Sequence, residues 1–204
     1  MLPESIKDWY INLTDPLTGF FTRHRVHPNV LTTIGFLLSC LAAFVISRGS
    51  IRMGGFLILL AGTFDVFDGG VARASGMSSQ FGSFFDSSLD RYAEIVLSLG
   101  ILIYFLNKSD MIIACAIVLA LGGGLMVSYA RARAEALGIE CKVGFFQRPE
   151  RILSIGLGAL LGEGVLKIVL WILVLLSNFT AVQRMIHVYN MTRGESGGSG
   201  KRLS

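Results

Sequence analysis

Charge is scarce in this chain. Asp, Glu, Lys and Arg make up 16% of its 204 residues, against about 25% in soluble domains. That deficit argues against an ordinary soluble domain. A hydrophobic content of 52% excludes a disordered tail protein. Cysteine is both rare and odd in number: Cys40, Cys115 and Cys141 stand far apart, with no CxxC pair. A disulfide framework or a zinc site is therefore not expected. Two of the three lie in apolar runs, where Cys acts as a small buried hydrophobe. Four prolines are too few for a Pro-rich chain. Residues 1–25 lack an apolar core and carry Glu4, Lys7, Asp8, Asp15, Arg23 and Arg25, so no cleavable leader is visible. There is no internal repeat. A net charge of +4 could suit nucleic acid, but the apolar content makes a membrane the expected partner, with no nucleic acid.

What is present in quantity is long apolar runs. Six are marked, at roughly 30–47, 53–72, 83–106, 111–130, 152–162 and 165–182. Most approach the ~20 residues needed to span hydrocarbon. The expected fold is an all-α integral membrane protein with six transmembrane helices. The fifth run is short, so five spans is the alternative, and Gly162-Glu163-Gly164 makes the turn after it. Before the first span, residues 4–22 mix Trp9, Tyr10, Ile11, Leu13, Leu17, Phe20 and Phe21 with polar residues. That pattern predicts an N-terminal interfacial amphipathic helix broken near Pro16. The chain thus divides into an interfacial segment (1–27), a six-helix membrane domain (28–191) and a Gly/Ser-rich tail (192–204) expected to be disordered.

Six spans put both termini on one side. Of the 18 Lys and Arg residues, thirteen then fall with the termini and four (Arg48, Arg52, Lys108 and Lys167) fall opposite. Arg91 lies inside a span. The positive-inside rule makes the terminal side cytoplasmic.

The informative segment is residues 65–90, DVFDGGVARASGMSSQFGSFFDSSLD. It sets Asp65, Asp68, Asp86 and Asp90 beside apolar spans, where charge is costly and marks function by default. Asp65 and Asp68 are three apart; Asp86 and Asp90 are four apart. Each pair shares one helix face. A turn at Gly76-Met77-Ser78-Ser79 would bring both pairs to similar heights in an antiparallel hairpin. Four converging carboxylates do not all stay ionised unassisted. Divalent cations are the natural remedy, and an all-oxygen set without His or Cys suits Mg²⁺ or Mn²⁺. Gly69, Gly70, Ala72, Gly76 and Gly82 let helices or a ligand approach the backbone. Arg73 is a candidate phosphate partner. His24, His27 and His187 sit near span ends and are read as interfacial, not as metal ligands.

These residues resemble the signature of the CDP-alcohol phosphotransferases: Asp65, Asp68-Gly69, Ala72-Arg73, Gly82, Asp86 and Asp90, with every spacing kept over eight fixed positions. A family-like Pro28-Asn29-Val30-Leu31-Thr32 precedes the first span. The resemblance implies a six-span fold with a cytoplasm-facing site. It implies that Asp65, Asp68 and Asp86, with Asp90 able to join them, hold two metal ions that clamp a CDP diphosphate. Asp90 would be the general base for the acceptor hydroxyl. Gly69, Ala72, Arg73 and Gly82, with Asp68, would shape the cradle of a CDP-diacylglycerol-type lipid. A homodimer is also implied.

The acceptor is read from a second cluster. Arg131, Arg133, Arg148, Arg151 and Arg184 gather near the cytoplasmic end, more than topology requires. Arg forks bind phosphate bidentately, so an anionic acceptor is expected. Ser128 and these arginines resemble the inositol-phosphate pocket of phosphatidylinositol-phosphate synthases and their archaeal lipid counterparts. One departure is Arg131, where those enzymes commonly carry Lys. Glycerol 3-phosphate, giving a phosphatidylglycerophosphate synthase, is the rival acceptor. A divalent-cation transporter is the rival from another class, disfavoured because Asp110 and Glu163 stand isolated on the far side. A dead scaffold would have no need of all four aspartates. Arg91 and Glu94 either orient the site or form a structural salt bridge.

Overall fold

The computed structural model describes residues 18–144 and 147–196. Its described residues form six long helices: α1 (Pro28–Ser47), α2 (Ile51–Ser75), α3 (Gln80–Asn107), α4 (Met111–Ala136), α5 (Arg148–Leu161) and α6 (Glu163–Ser196). Residues 18–23 add a short helical stretch before α1. The first 17 residues of the expected interfacial segment, with the break near Pro16, lie outside the described residues. So does the tail from 197 onward. α6 runs to Ser196, five residues past the expected end of the membrane domain.

Local chemistry sets the breaks. α1 opens on Pro28, with the His27 ring accepting from the Asn29 backbone N–H at 3.2 Å. Pro at a first helical position loses nothing, since that N–H has no partner in a helix. α2 stops at Gly76, whose φ of +69° is the left-handed cap that glycine adopts freely. α3 begins at Ser79, whose hydroxyl accepts from Gly82 N at 2.9 Å. The turn between the motif helices is therefore the expected 76–79.

Among the described residues, four helices are long and apolar enough to cross a membrane: α1, α2, α4 and residues Glu163–Arg193 of α6. This corrects the count of six. α3 is 28 residues long, but Asp86, Asp90, Arg91 and Glu94 dilute its apolar stretch. α5 has 14 residues, about 21 Å at 1.5 Å per residue, short of the hydrocarbon core. Large side chains such as Leu37, Phe44, Phe56, Leu99, Ile168 and Leu175 face outward around the molecule. No internal core covers them, which suits lipid as their solvent.

The helices close a ring. α1 packs on α2 and α3, α3 on α4, α4 on α6, α6 on α5, and α5 back on α2. The motif helices α2 and α3 thus lie along α1 rather than along each other, which corrects the expected close hairpin. Small residues bring the neighbours together: a Cβ on Gly100 would lie 2.4 Å from the Ala43 carbonyl oxygen. The main core includes Ala42, Ile46, Ile58, Leu97, Ile101, Phe105, Ile117, Leu166 and Leu173. A smaller cluster of Leu31, Phe67 and Val71 takes Phe21 from the stretch before α1.

Candidate active site

At one end of the ring, α2 presents Asp65 and Asp68 while α3 presents Asp86 and Asp90. The gap between them is walled by α1. Thr32, on α1, donates its hydroxyl to Asp68 Oδ2 at 2.7 Å. Asp68 and Asp90 are 6% and 9% exposed, so water screens neither well. Asp68 and Asp90 each sit close enough to Asp65 and Asp86 for like charges to act on one another. Arg148, from the start of α5, lies among them. Its guanidinium meets Asp65 Oδ2 at 2.9 Å and Asp90 Oδ2 at 2.6 Å.

Two cavities open beside this cluster. The first, about 210 Å³, is lined by Asp68, Gly69, Ala72, Arg73, Gly82 and Asp86. Every residue expected to cradle the CDP group is therefore on its wall. Arg73 is exposed and has no carboxylate partner among the described residues. Pro28, Asn29, Thr32, Met77, Ser78, Ser79 and Ser83 complete the lining. As sequence, Pro28, Asn29 and Thr32 stand out only as part of a family-like stretch, and Ser78 and Ser79 only as part of the turn. A polar Asn29 and Thr32 at three-residue spacing, at the head of an apolar span, is the signal that could have found them.

The second cavity, about 350 Å³, is lined by Asp90, Ser128, Arg131, Arg148, Arg151 and Arg184, together with Ser87, Arg91 and Gln147. Five of the six expected acceptor residues meet there. Arg133 does not. It is exposed on the face of α4 turned away from the cavity, because two residues along a helix is a rotation of about 200°.

The arginines are not equally free. Arg131 pairs with Glu135 at 2.8 Å on the surface. Arg184 donates to the carbonyls of Val143 at 2.8 Å and Val127 at 2.6 Å, tying the 139–144 loop to α4. Arg151 is 2% exposed and forks onto Glu94, Nε to Oε1 at 3.0 Å and Nη2 to Oε2 at 3.1 Å. Arg91 donates to the Ser128 hydroxyl and lies 3.8 Å from Asp90 and 3.9 Å from Glu94. Glu150 accepts from the Gln147 backbone N–H at 3.1 Å and starts α5. That start aims Arg148 and Arg151, three apart, into the ring.

The residues present fit a hard divalent cation. The donors are all carboxylate oxygens around a gap already occupied by a cationic group. As the side chains stand, no three Asp, Glu, His or Cys among the described residues close on one point. Arg148 holds Asp65 and Asp90 in its own geometry instead.

Comparison with known proteins identifies the family. Residues 25–183 match the CDP-alcohol phosphatidyltransferases. The chain belongs to that family. It is a membrane-helical transferase of phospholipid synthesis, which sets aside the cation-transporter reading. It is 42% identical over 179 residues to an archaetidylinositol phosphate synthase of Methanothermobacter thermautotrophicus, covering 86% of this chain and 88% of that one. A crystal structure of Mycobacterium tuberculosis phosphatidylinositol phosphate synthase with CDP-DAG bound superposes with a TM-score of 0.80. It is 28% identical, over 87% of this chain and 94% of that one. The same M. tuberculosis enzyme in complex with manganese and citrate gives a TM-score of 0.78 at 28% identity, over 86% and 88%. As a CDP-alcohol phosphatidyltransferase, the chain has Asp68, Gly69, Ala72, Arg73, Gly82 and Asp86 of its motif on the wall of one cavity, and Asp90 with Arg131, Arg148, Arg151 and Arg184 on the wall of the next.

Proposed function

We propose that this chain transfers the phosphatidyl group of a CDP-linked lipid to inositol phosphate and releases CMP. The observation that carries the reading is the meeting of two unlike cavities at the aspartates. Asp68 and Asp86 face the motif cavity, while Asp90, one turn further along α3, faces the arginine-rich cavity. Donor and acceptor then approach the same carboxylates from opposite sides. The lipid tails enter between helices.

Each side chain has a definable task. Asp90 takes the proton of the acceptor hydroxyl as its oxygen attacks the phosphorus that bears the lipid; the bond from that phosphorus to the CMP oxygen breaks. Arg148 and Arg91 both address Asp90 Oδ2, which leaves Oδ1 to face the hydroxyl. Gly69, Ala72 and Gly82 keep the motif cavity open for cytidine and diphosphate, with Arg73 over them. Ser128, Arg131, Arg148, Arg151 and Arg184 receive the acceptor phosphate; Arg133 has no place in this step. Asp65, Asp68, Asp86 and Asp90 would hold two Mg²⁺ or Mn²⁺ ions. Bound there, such ions neutralise the diphosphate and stabilise CMP as leaving group.

In this reading α1, α2, α4 and α6 cross the membrane, and α3 and α5 pack among them. The site and both termini face the cytoplasm, and the enzyme works as a homodimer. The names shared with the related synthases support inositol phosphate, and the arginine cavity supports a phosphorylated acceptor.

The test is CMP release from CDP-diacylglycerol, and from its archaeal ether counterpart, with Mg²⁺. Inositol 1-phosphate, free inositol, glycerol 3-phosphate and serine are compared as acceptors. Release with inositol 1-phosphate alone is expected, and Asp90→Asn should abolish it while CDP-lipid still binds. Release with glycerol 3-phosphate instead would replace the acceptor. Wild-type turnover in Asp90→Asn would remove the base assignment.

A further inference from the structure

We propose that Glu94 is a positioning residue for the acceptor: it fixes Arg151 as an anion anchor at the floor of the arginine cavity. The inference rests on the function proposed above and deepens it.

Glu94 follows Asp90 by four residues on α3, and Arg151 follows Arg148 by three on α5. The two helices therefore face each other across the ring with two rungs. The outer rung, Arg148 with Asp90, is shared with Asp65. The inner rung, Arg151 with Glu94, is closed on both sides, at 2% and 6% exposure. An isolated guanidinium at that depth would be strongly disfavoured, and Glu94 supplies the counter-charge. It also fixes direction, because two parallel N–H···O bonds leave a planar fork no freedom to turn.

The fork is incomplete. Glu94 takes Nε and Nη2, and Arg151 Nη1 is buried with no hydrogen-bond partner. Arg151 lines the arginine cavity. Buried donors are nearly always satisfied, and an unsatisfied one calls for an explanation. A phosphate oxygen in the cavity supplies the missing acceptor. The pair also requires space that only glycine leaves. A Cβ on Gly124 would stand 2.5 Å from Glu94 Oε1 and 3.2 Å from Arg151 Nε. The inner rung thus fixes the orientation of Arg151 beside the cavity that Asp90 also lines, which is what aligning an acceptor hydroxyl with its base demands.

A purely structural ion pair between α3 and α5 would affect stability and both substrates alike. The experiment measures KM for inositol 1-phosphate and for CDP-diacylglycerol separately, in purified full-length protein. The expected result for Glu94→Gln is an acceptor KM raised about tenfold, the size of one lost charged hydrogen-bond arrangement, with an unchanged CDP-lipid KM. Glu94→Asp should recover part of the loss. Gly124→Ala should reproduce it through the same displacement. Sulfate, used as a competitive probe, should inhibit the variants more weakly. In an Arg151→Gln background, where both charges are removed together, Glu94→Gln should add nothing. Equal rises in both KM values, or an unchanged acceptor KM, would overturn the assignment while leaving the proposed reaction in place. A wild type that turns over only unphosphorylated alcohols would overturn both.

Discussion

Arg148 is the residue on which the two halves of the site converge. It contacts a carboxylate from each motif helix and lines the cavity assigned to the acceptor. A guanidinium between two carboxylates occupies ground that a divalent cation favours, so the two compete for Asp65 and Asp90. Arg148→Ala is expected to tighten Mn²⁺ binding in the absence of substrate, read by electron paramagnetic resonance titration, while raising the acceptor KM. Weaker Mn²⁺ binding would mean that Arg148 organises the carboxylates instead of opposing the metal. Thr32 acts on the same cluster from α1: its hydroxyl holds Asp68 Oδ2 at 2.7 Å.

At the scale of elements, the site depends on helices held apart at one end and together at the other. The aspartate end is open because α2 and α3 each pack on α1. Toward the opposite end, α1 and α3 close where Gly100 meets Ala43. Gly100→Val puts two methyl groups into that contact. The expected cost is about 1–3 kcal/mol, the usual range for overpacking a tight site, seen as a lower midpoint in thermal unfolding. An unchanged midpoint would show that α3 can slide along α1 without loss. α5 is the other determining element. Its 14 residues are held against α2 by Gly55, whose added Cβ would lie 2.4 Å from Leu160 N. That contact places the N-terminus of α5, with Arg148 and Arg151, level with the aspartates.

Over the whole molecule, ionic groups separate into two ends. The site end holds Arg73, Arg131, Arg148, Arg151 and Arg184. The far end holds a closed network: Lys108 with Glu163, Tyr104 donating to Glu163 at 2.8 Å, and Lys167 with Asp110 at 2.8 Å. Lys167 holds Asp110 below the usual carboxylate range. Asp110 and Glu163 therefore have local partners and no part in an ion path. The proposed orientation is checked by labelling in a background lacking Cys40, Cys115 and Cys141. An impermeant thiol reagent added to intact cells should label Arg48→Cys, at the far end, and spare Glu140→Cys, beside the site. The reverse pattern would invert the topology.

The spacing of Asp65, Asp68, Gly69, Ala72, Arg73, Gly82, Asp86 and Asp90 was enough to name the family, and six of the eight line one cavity. Helix periodicity is local, and a motif on two consecutive helices carries its own geometry. The turn at Gly76 was legible for the same reason: a left-handed cap needs a glycine at that point. Partnerships between distant segments were not legible. Nothing in the sequence says that α1 separates the motif helices, or that Thr32 reaches Asp68. Arg131, Arg133, Arg148, Arg151 and Arg184 look alike as a string, yet the fold gives Arg151 to Glu94, Arg184 to two carbonyls and Arg148 to two aspartates, and turns Arg133 away. Those assignments follow from which helices share an edge of the ring and which face each other across it. That choice is made by small residues and packing across the whole molecule, beyond the reach of any local pattern.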